Sequence, residues 1–301
     1  MHLDASLDDR LFARDDPAGA PCMRLPYLSL LRLARPLRSS TARAAARTMA
    51  SSAPLDTLIF DIDDTLYPQS SGFSDHRNGP VVARFMTSEL GFATEAEALA
   101  LRTEMFQKYH STLKGRKVAS EEGRLPKPFE LYSLGRYWAE HCEFAKFLPP
   151  NLELLAQLRE LEALGYNMVI FTNAPKAYGL KCLEALGIAE VFPEGNIFGV
   201  EDVMPACKPE PAAFEHVLRS VGAASPETCV MFEDSMKNIR ACKALGLKTV
   251  FIDESLGADV GGEAALLGDT KAAGDDGAID ATIRKIADLK AGVPGLWEKR
   301  L

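Results

Sequence analysis

An α/β fold, a doubly wound and mainly parallel sheet with a small α-helical domain inserted after its first strand, is predicted by three features of this 301-residue sequence. Apolar runs of strand length recur along the chain. Helix-patterned segments lie between them, and one early interval is far too long to be a simple connection.

The apolar runs are TLIFD from residue 57, NMVIFTN from 167, NIFGV from 196, TCVMFED from 228 and KTVFID from 248. Their apolar residues are continuous rather than alternating, as in strands buried on both faces of a parallel sheet. Helical spacing fills the gaps in NLELLAQLRELEALG, PKAYGLKCLEALG, EPAAFEHVLRSVG and SMKNIRACKALG. Three of these segments stop at a glycine suited to a helix C-terminus (Gly165, Gly187, Gly246), and two begin near a proline. Between Asp63 and Pro150 the pattern changes: GPVVARFMTSELG and EAEALALRTEMFQKYHSTLKG have helical spacing, and PFELYSLGRYWAEHCEFAKFL adds a helix or two. The expected organisation is a core of residues 55–68 and 150–301, a helical cap domain at 69–149, and a disordered leader or transit peptide at 1–54. A surface loop, GGEAALLGDTKAAGDDG, is expected from residue 261.

Composition is ordinary for a globular chain, with 47% hydrophobic and 25% charged residues. The formal net charge of -8 argues against nucleic acid as a partner, because phosphate-backbone binding needs dense positive charge. The six cysteines form no CxxC pair or Cys/His cluster and read as reduced thiols, with Cys229 a small apolar filler.

Between Met23 and Met49 the chain carries Arg24, Arg32, Arg35, Arg38, Arg43 and Arg47 and no acid, like an organelle transit peptide. Its apolar stretches are too short and too often broken by arginine to span a membrane. The preceding residues, with Asp4, Asp8, Asp9, Asp15 and Asp16, are too acidic for import. A start at Met23 implies chloroplast or mitochondrion, a start at Met49 implies cytoplasm, and a leader with no address is the third reading.

Ligands of open parallel sheets bind beyond the carboxyl ends of the strands. There the first strand delivers Asp61 and Asp63, placed on one side if the extended geometry continues, the second Thr172 and Asn173, and the fourth Glu233 and Asp234, with Lys208 in ACKPEP. Converging carboxylates repel one another, and a hard cation such as Mg2+, held by Asp61 and Asp234, keeps them ionised and binds a phosphoryl group. Lys208 and Thr172 suit the remaining phosphate oxygens, with Asn173 beside them as a further substrate-binding candidate, Asp61 can attack phosphorus, and Asp63 can serve as acid and then base. Taken singly, each feature has a plainer reading: Asp-rich turns, an N-cap at Asp234 or Ser235, a solvated lysine before a helix. Their order and shared position at strand ends favour a site.

FDIDDTLYP, VIFTNA, CKPEP and MFEDSMKN, in that order over residues 55 to 255, resemble the four motifs of the haloacid dehalogenase superfamily of phosphohydrolases. The resemblance implies Asp61 as nucleophile, Asp63 as general acid/base, and Thr172 and Lys208 holding the phosphoryl group. It also implies Mg2+ on Asp61, Asp234 and the Asp63 carbonyl, Glu233 acting behind them, and residues 69–149 as a mobile cap. Asp63 is the aspartate that dehalogenating members lack, so carbon–halide chemistry is set aside. DTLYPQSSGF, YHSTLKG and PGLWE are similar to the pyrimidine 5′-nucleotidase branch, with His110 and the stretch Arg116 to Glu122 departing from its pattern.

The expected function is therefore Mg-dependent hydrolysis of a small phosphorylated metabolite, a nucleoside 5′-monophosphate first. A phosphosugar or phosphoglycolate-type substrate is the alternative, then a phosphomutase, and outside enzymes an inactive regulatory or binding scaffold. Of the cap aromatics Phe106, Tyr109, Phe129, Tyr132, Tyr137 and Trp138, one or two are expected to touch substrate. His110, His141 and Arg116 are expected at the surface.

Overall fold

The computed structural model describes residues 54–255 and 276–301. The expected leader with both candidate start sites, Cys22 and nearly all of the loop expected from 261 lie outside the described residues. Six strands form one sheet: β1 (Thr57–Phe60), β2 (Asn167–Phe171), β3 (Ile197–Phe198), β4 (Cys229–Glu233), β5 (Lys248–Ile252) and β6 (Ala281–Ile283), in the order β3-β2-β1-β4-β5-β6. Every neighbouring pair is parallel.

The longer described helices are α1 (Val82–Ser88), α2 (Glu95–Tyr109), α3 (Thr112–Glu121) and α4 (Ser133–His141) in the insertion. Between the strands follow α5 (Leu152–Ala163), α6 (Lys176–Leu186), α7 (Pro211–Ser220) and α8 (Met236–Ala244). Strand alternation sorts the core into two faces. Leu58, Phe60, Ile170 and Phe232 pack with Leu158 of α5 and Leu183 of α6, whereas Ile59, Val169, Phe171 and Met231 pack with Phe214 and Val217 of α7. Both faces are covered, which is why the strands carry no polar alternation.

Caps fix where the helices begin and end. The Asn151 side chain accepts the Leu154 amide at the start of α5, and Pro211 opens α7. Gly187 closes α6 with φ +70°, and Gly165 and Gly246, just past α5 and α8, have φ +80° and +96°. No helix among the described residues is long and apolar enough to cross a membrane.

The structure departs from the sequence expectation at three places. The sixth strand, β6, was invisible as an apolar run because only Ile283 of its three residues is buried at this sheet edge. The helical spacing that runs through YHSTLKG is broken at His110, whose φ of 55° ends α2, and Ser111 caps α3 by accepting the Lys114 amide. Third, Arg116 is not at the surface: it is fully buried inside the insertion.

Candidate active site

β1 ends at Phe60, and the chain does not stay extended beyond it. The Asp61 amide still donates to the Phe232 carbonyl at 3.1 Å, but the Ile62 carbonyl receives the amides of Thr65 and Leu66, closing a turn in which Asp64 has φ 58°. A turn, not strand alternation, therefore brings Asp63 to the same side as Asp61. Both line a cavity of about 140 Å³ beyond the strand ends, together with Thr172, Asn173, Lys208, Glu233 and Asp234. All seven residues expected at the site from the sequence meet there.

Lys208 sits at its centre, fully buried. Its Nζ donates to Glu233 Oε2 at 2.7 Å and to the Phe171 carbonyl at 2.9 Å, and lies 2.8 Å from Asp61 Oδ1. Burial disfavours the ammonium, but the two carboxylates outweigh it and raise the Lys208 pKa. The Asp61 contact is an ion pair without hydrogen-bond alignment, so Oδ1 is a buried oxygen with no hydrogen-bond donor. Burial pushes Asp61 up to about 7, with Lys208 pulling back and Glu233 and Asp63 adding to the rise.

Oxygens of Asp61, Glu233 and Asp234 come within 4.8 Å of one another. Asp234 is raised well above the usual carboxylate value by burial, then by Glu233, Asp64 and Asp61. Asp61 Oδ1 is left without a donor beside the oxygens of Asp234, and an all-oxygen set of this kind fits a hard divalent cation. Glu233 has its oxygens on Lys208 and the Ser235 amide, so Asp61 and Asp234 are the better placed ligands. The Asp63 side chain is engaged elsewhere, which leaves only its carbonyl for that part.

Thr172 Oγ1 accepts the Ala174 amide at 3.0 Å and keeps its own proton to donate. Asn173 behaves differently from a plain substrate ligand. Its Nδ2 donates to the carbonyls of His110 (3.2 Å) and Lys208 (2.8 Å), its Oδ1 accepts the Lys208 amide, and its carbonyl accepts Ser111 Oγ. The side chain ties the Lys208 loop to the α2–α3 corner of the insertion. That corner brings His110, Ser111, Thr112 and Leu113 to the cavity wall.

Asp63 is gripped by residues that the sequence reading missed. Tyr67 and Tyr178 hydroxyls donate to Oδ1 at 2.6 and 2.8 Å, and Arg77 Nη1 pairs with Oδ2. The guanidinium of Arg77 lies over the rings of Trp138 (5.0 Å) and Tyr178 (4.8 Å). Burial raises the Asp63 pKa, but the Arg77 charge and these hydrogen bonds outweigh it and hold the carboxyl below its usual range. Only Tyr67, four residues after Asp63 in the same turn, had a local signal. Phe106 and Trp138 are the two expected aromatics that reach the cavity, whereas His141 is exposed and stacked on Tyr137.

A family model described as haloacid dehalogenase-like hydrolase matches residues 55–246. Among relatives, the ribulose-1,5-bisphosphate 5-phosphatase of Halopiger xanaduensis is 27% identical over 214 residues, 66% of this chain and 84% of its own length. The phosphoglycolate phosphatase of Mesorhizobium japonicum is 27% identical over 198 residues, covering 65% and 82%. Of solved structures, a HAD phosphatase from Thermococcus onnurineus aligns with TM-score 0.51 at 21% identity, covering 79% of this chain and 97% of that one. That likeness supports the fold alone. With the family match spanning β1 to α8 and all four motif segments meeting at one cavity, the chain belongs to the haloacid dehalogenase-like hydrolases.

Proposed function

We propose that the protein is a phosphomonoester hydrolase for a small phosphorylated metabolite of the sugar-phosphate or phosphoglycolate class. The observation that carries this reading is the arrangement around Lys208: a buried ammonium against Asp61, a hydroxyl at Thr172, and a second aspartate, Asp63, on the same cavity. Asp61 attacks phosphorus, the bond to the leaving oxygen breaks, and that oxygen takes the proton of the monoanionic ester, relayed through Asp63. In the second step water attacks the aspartyl phosphate, its proton passes to Asp63, and the bond from phosphorus to Asp61 breaks. Lys208 and Thr172 hold the phosphoryl oxygens while charge moves between attacking and leaving atoms. Asp61 and Asp234, with the Asp63 carbonyl, would hold Mg2+, which supplies charge neutralisation on the phosphoryl group.

The substrate class rests on two supports. The relatives reported above are named for a pentose bisphosphate and for phosphoglycolate. The cavity, about 140 Å³, is below the roughly 300–1,000 Å³ of sites for drug-sized ligands. These move the first choice from the nucleoside monophosphate to its alternative. The nucleotide remains the second reading, favoured by Phe106 and Trp138 on the cavity wall, although one face of Trp138 already carries Arg77.

Phosphate release from sugar phosphates, phosphoglycolate and nucleoside monophosphates, with Mg2+ or with chelator, tests the proposal. Mg-dependent release led by the small substrates is expected. Release led by a nucleotide would replace the substrate reading, and none from any ester would favour a mutase or a binding scaffold.

A further inference from the structure

We propose that Arg77 is a positioning residue for the second half of the reaction, holding Asp63 as the carboxylate that takes the proton of the hydrolytic water. The inference rests on the phosphatase reading above and extends it to a residue outside the four motif segments.

Three observations carry it. Both oxygens of Asp63 face donors, Tyr67 and Tyr178 on Oδ1 and Arg77 on Oδ2, so the carboxylate cannot rotate without breaking a hydrogen bond. Arg77 is itself held in place, packed against the adjoining rings of Trp138 and Tyr178 and with Nε on Asn78 Oδ1. Lastly, Arg77 opens a π-helical turn, Arg77–Val81, and such turns inside helices are frequent at functional sites. A buried ion pair is a poor device for stability alone, because its desolvation offsets most of its attraction. As a device for geometry it is effective: it fixes a base within reach of a cavity that Arg77 also lines.

The two chemical steps make different demands on Asp63. Attack of Asp61 on an aryl phosphate expels a phenolate that needs no proton, so this step proceeds without an acid. Hydrolysis of the aspartyl phosphate always transfers a proton from water to the base as the phosphorus–Asp61 bond breaks. A misplaced Asp63 therefore slows the second step and spares the first.

The experiment is steady-state and rapid-mixing kinetics of the full chain on p-nitrophenyl phosphate, comparing wild type with Arg77→Met, Arg77→Lys and Tyr178→Phe. Arg77→Met is expected to lower kcat ~10- to 100-fold, within the usual worth of a general base, and to lower KM in parallel. Then kcat/KM, which reports the first step, stays within about threefold. A burst of nitrophenolate approaching one per chain precedes the slow phase. Arg77→Lys recovers part of kcat, since a lysine supplies the charge without the planar fork. Tyr178→Phe, which removes one donor while keeping the ring under Arg77, gives a smaller loss with the same split, and it carries the test if Arg77→Met does not fold. A loss of kcat/KM equal to that of kcat, with no burst, assigns Arg77 to binding or to the fold and overturns the inference alone, as does no change at all. No phosphate release by the wild-type chain from this ester or from the panel above overturns the phosphatase reading, and the inference with it.

Discussion

Replacing Arg116 with methionine should stabilise the protein. Arg116 is 0% exposed, its Nε and Nη1 have no hydrogen-bond partner among the described residues, and its Nη2 meets only the sulfur of Met86. Burial lowers its pKa to about 9, with the like charge of Arg102 adding to the fall. A guanidinium ordinarily holds its proton above ~12, and each tenfold change in affinity is worth ~1.4 kcal/mol, so the native state carries a strain of roughly 4 kcal/mol on this charge. The group stays protonated near neutrality, so the strain is present across the physiological range. Methionine keeps the unbranched length, adds no charge and packs readily beside Met86. Allowing about half of the strain to be relieved already by local relaxation, Arg116→Met gains about 2 kcal/mol, or roughly 4–8 °C in Tm for a chain of this size. Thermal and urea unfolding of wild type and variant measure it. A fall in Tm would refute the reasoning, because it would mean that in solution the guanidinium has an acceptor which the described residues do not supply.

The remaining predictions concern the site. Asp61→Asn should abolish phosphate release, by ~1,000-fold or more, while leaving the unfolding midpoint within a few degrees, since Lys208 keeps Glu233 and the Phe171 carbonyl; residual turnover near wild type would remove Asp61 from the chemistry. Lys208→Met should lose activity and also about 3–5 kcal/mol of stability, because it leaves the Asp61 and Glu233 carboxylates buried without their shared counter-charge; an unchanged denaturation midpoint would contradict this. Mg2+ should raise Tm, by about 2.7 kcal/mol of stabilisation at a hundred times its Kd, and Asp234→Asn should cancel the effect. A proton must leave Asp61 for the cation to bind, so this stabilisation should grow from pH 5 and level off above about 7; a shift that is flat over that interval, or unaltered in the variant, would argue against the carboxylate cluster as its origin.

The sheet was legible because its strands are buried on both faces, which leaves continuous runs such as TLIFD and TCVMFED, and because caps at Asn151, Gly187 and Pro211 punctuate the helices between them. The motif residues were legible for a related reason. A parallel sheet delivers each strand end to the same edge, so Asp61, Thr172, Glu233 and Asp234 could be brought together without knowing any distance. What the sequence did not disclose depends on contacts between distant segments. Nothing near Arg116 in the chain says that α1, with Met86, and α2, with Arg102, close over it. Asn173 looked like a ligand because it follows Thr172, yet its amide is occupied by the backbone at His110 and Lys208, a role defined by residues sixty-three and thirty-five positions away. Arg77 is the sharpest case. Its partners Asp63, Trp138 and Tyr178 come from the first turn, from α4 and from α6, so no spacing rule could have joined them. A group carried on a strand end meets the others at one edge of the sheet, where sequence order reveals it. A group that acts only by holding another can stand wherever the fold closes, and only the folded geometry reveals it.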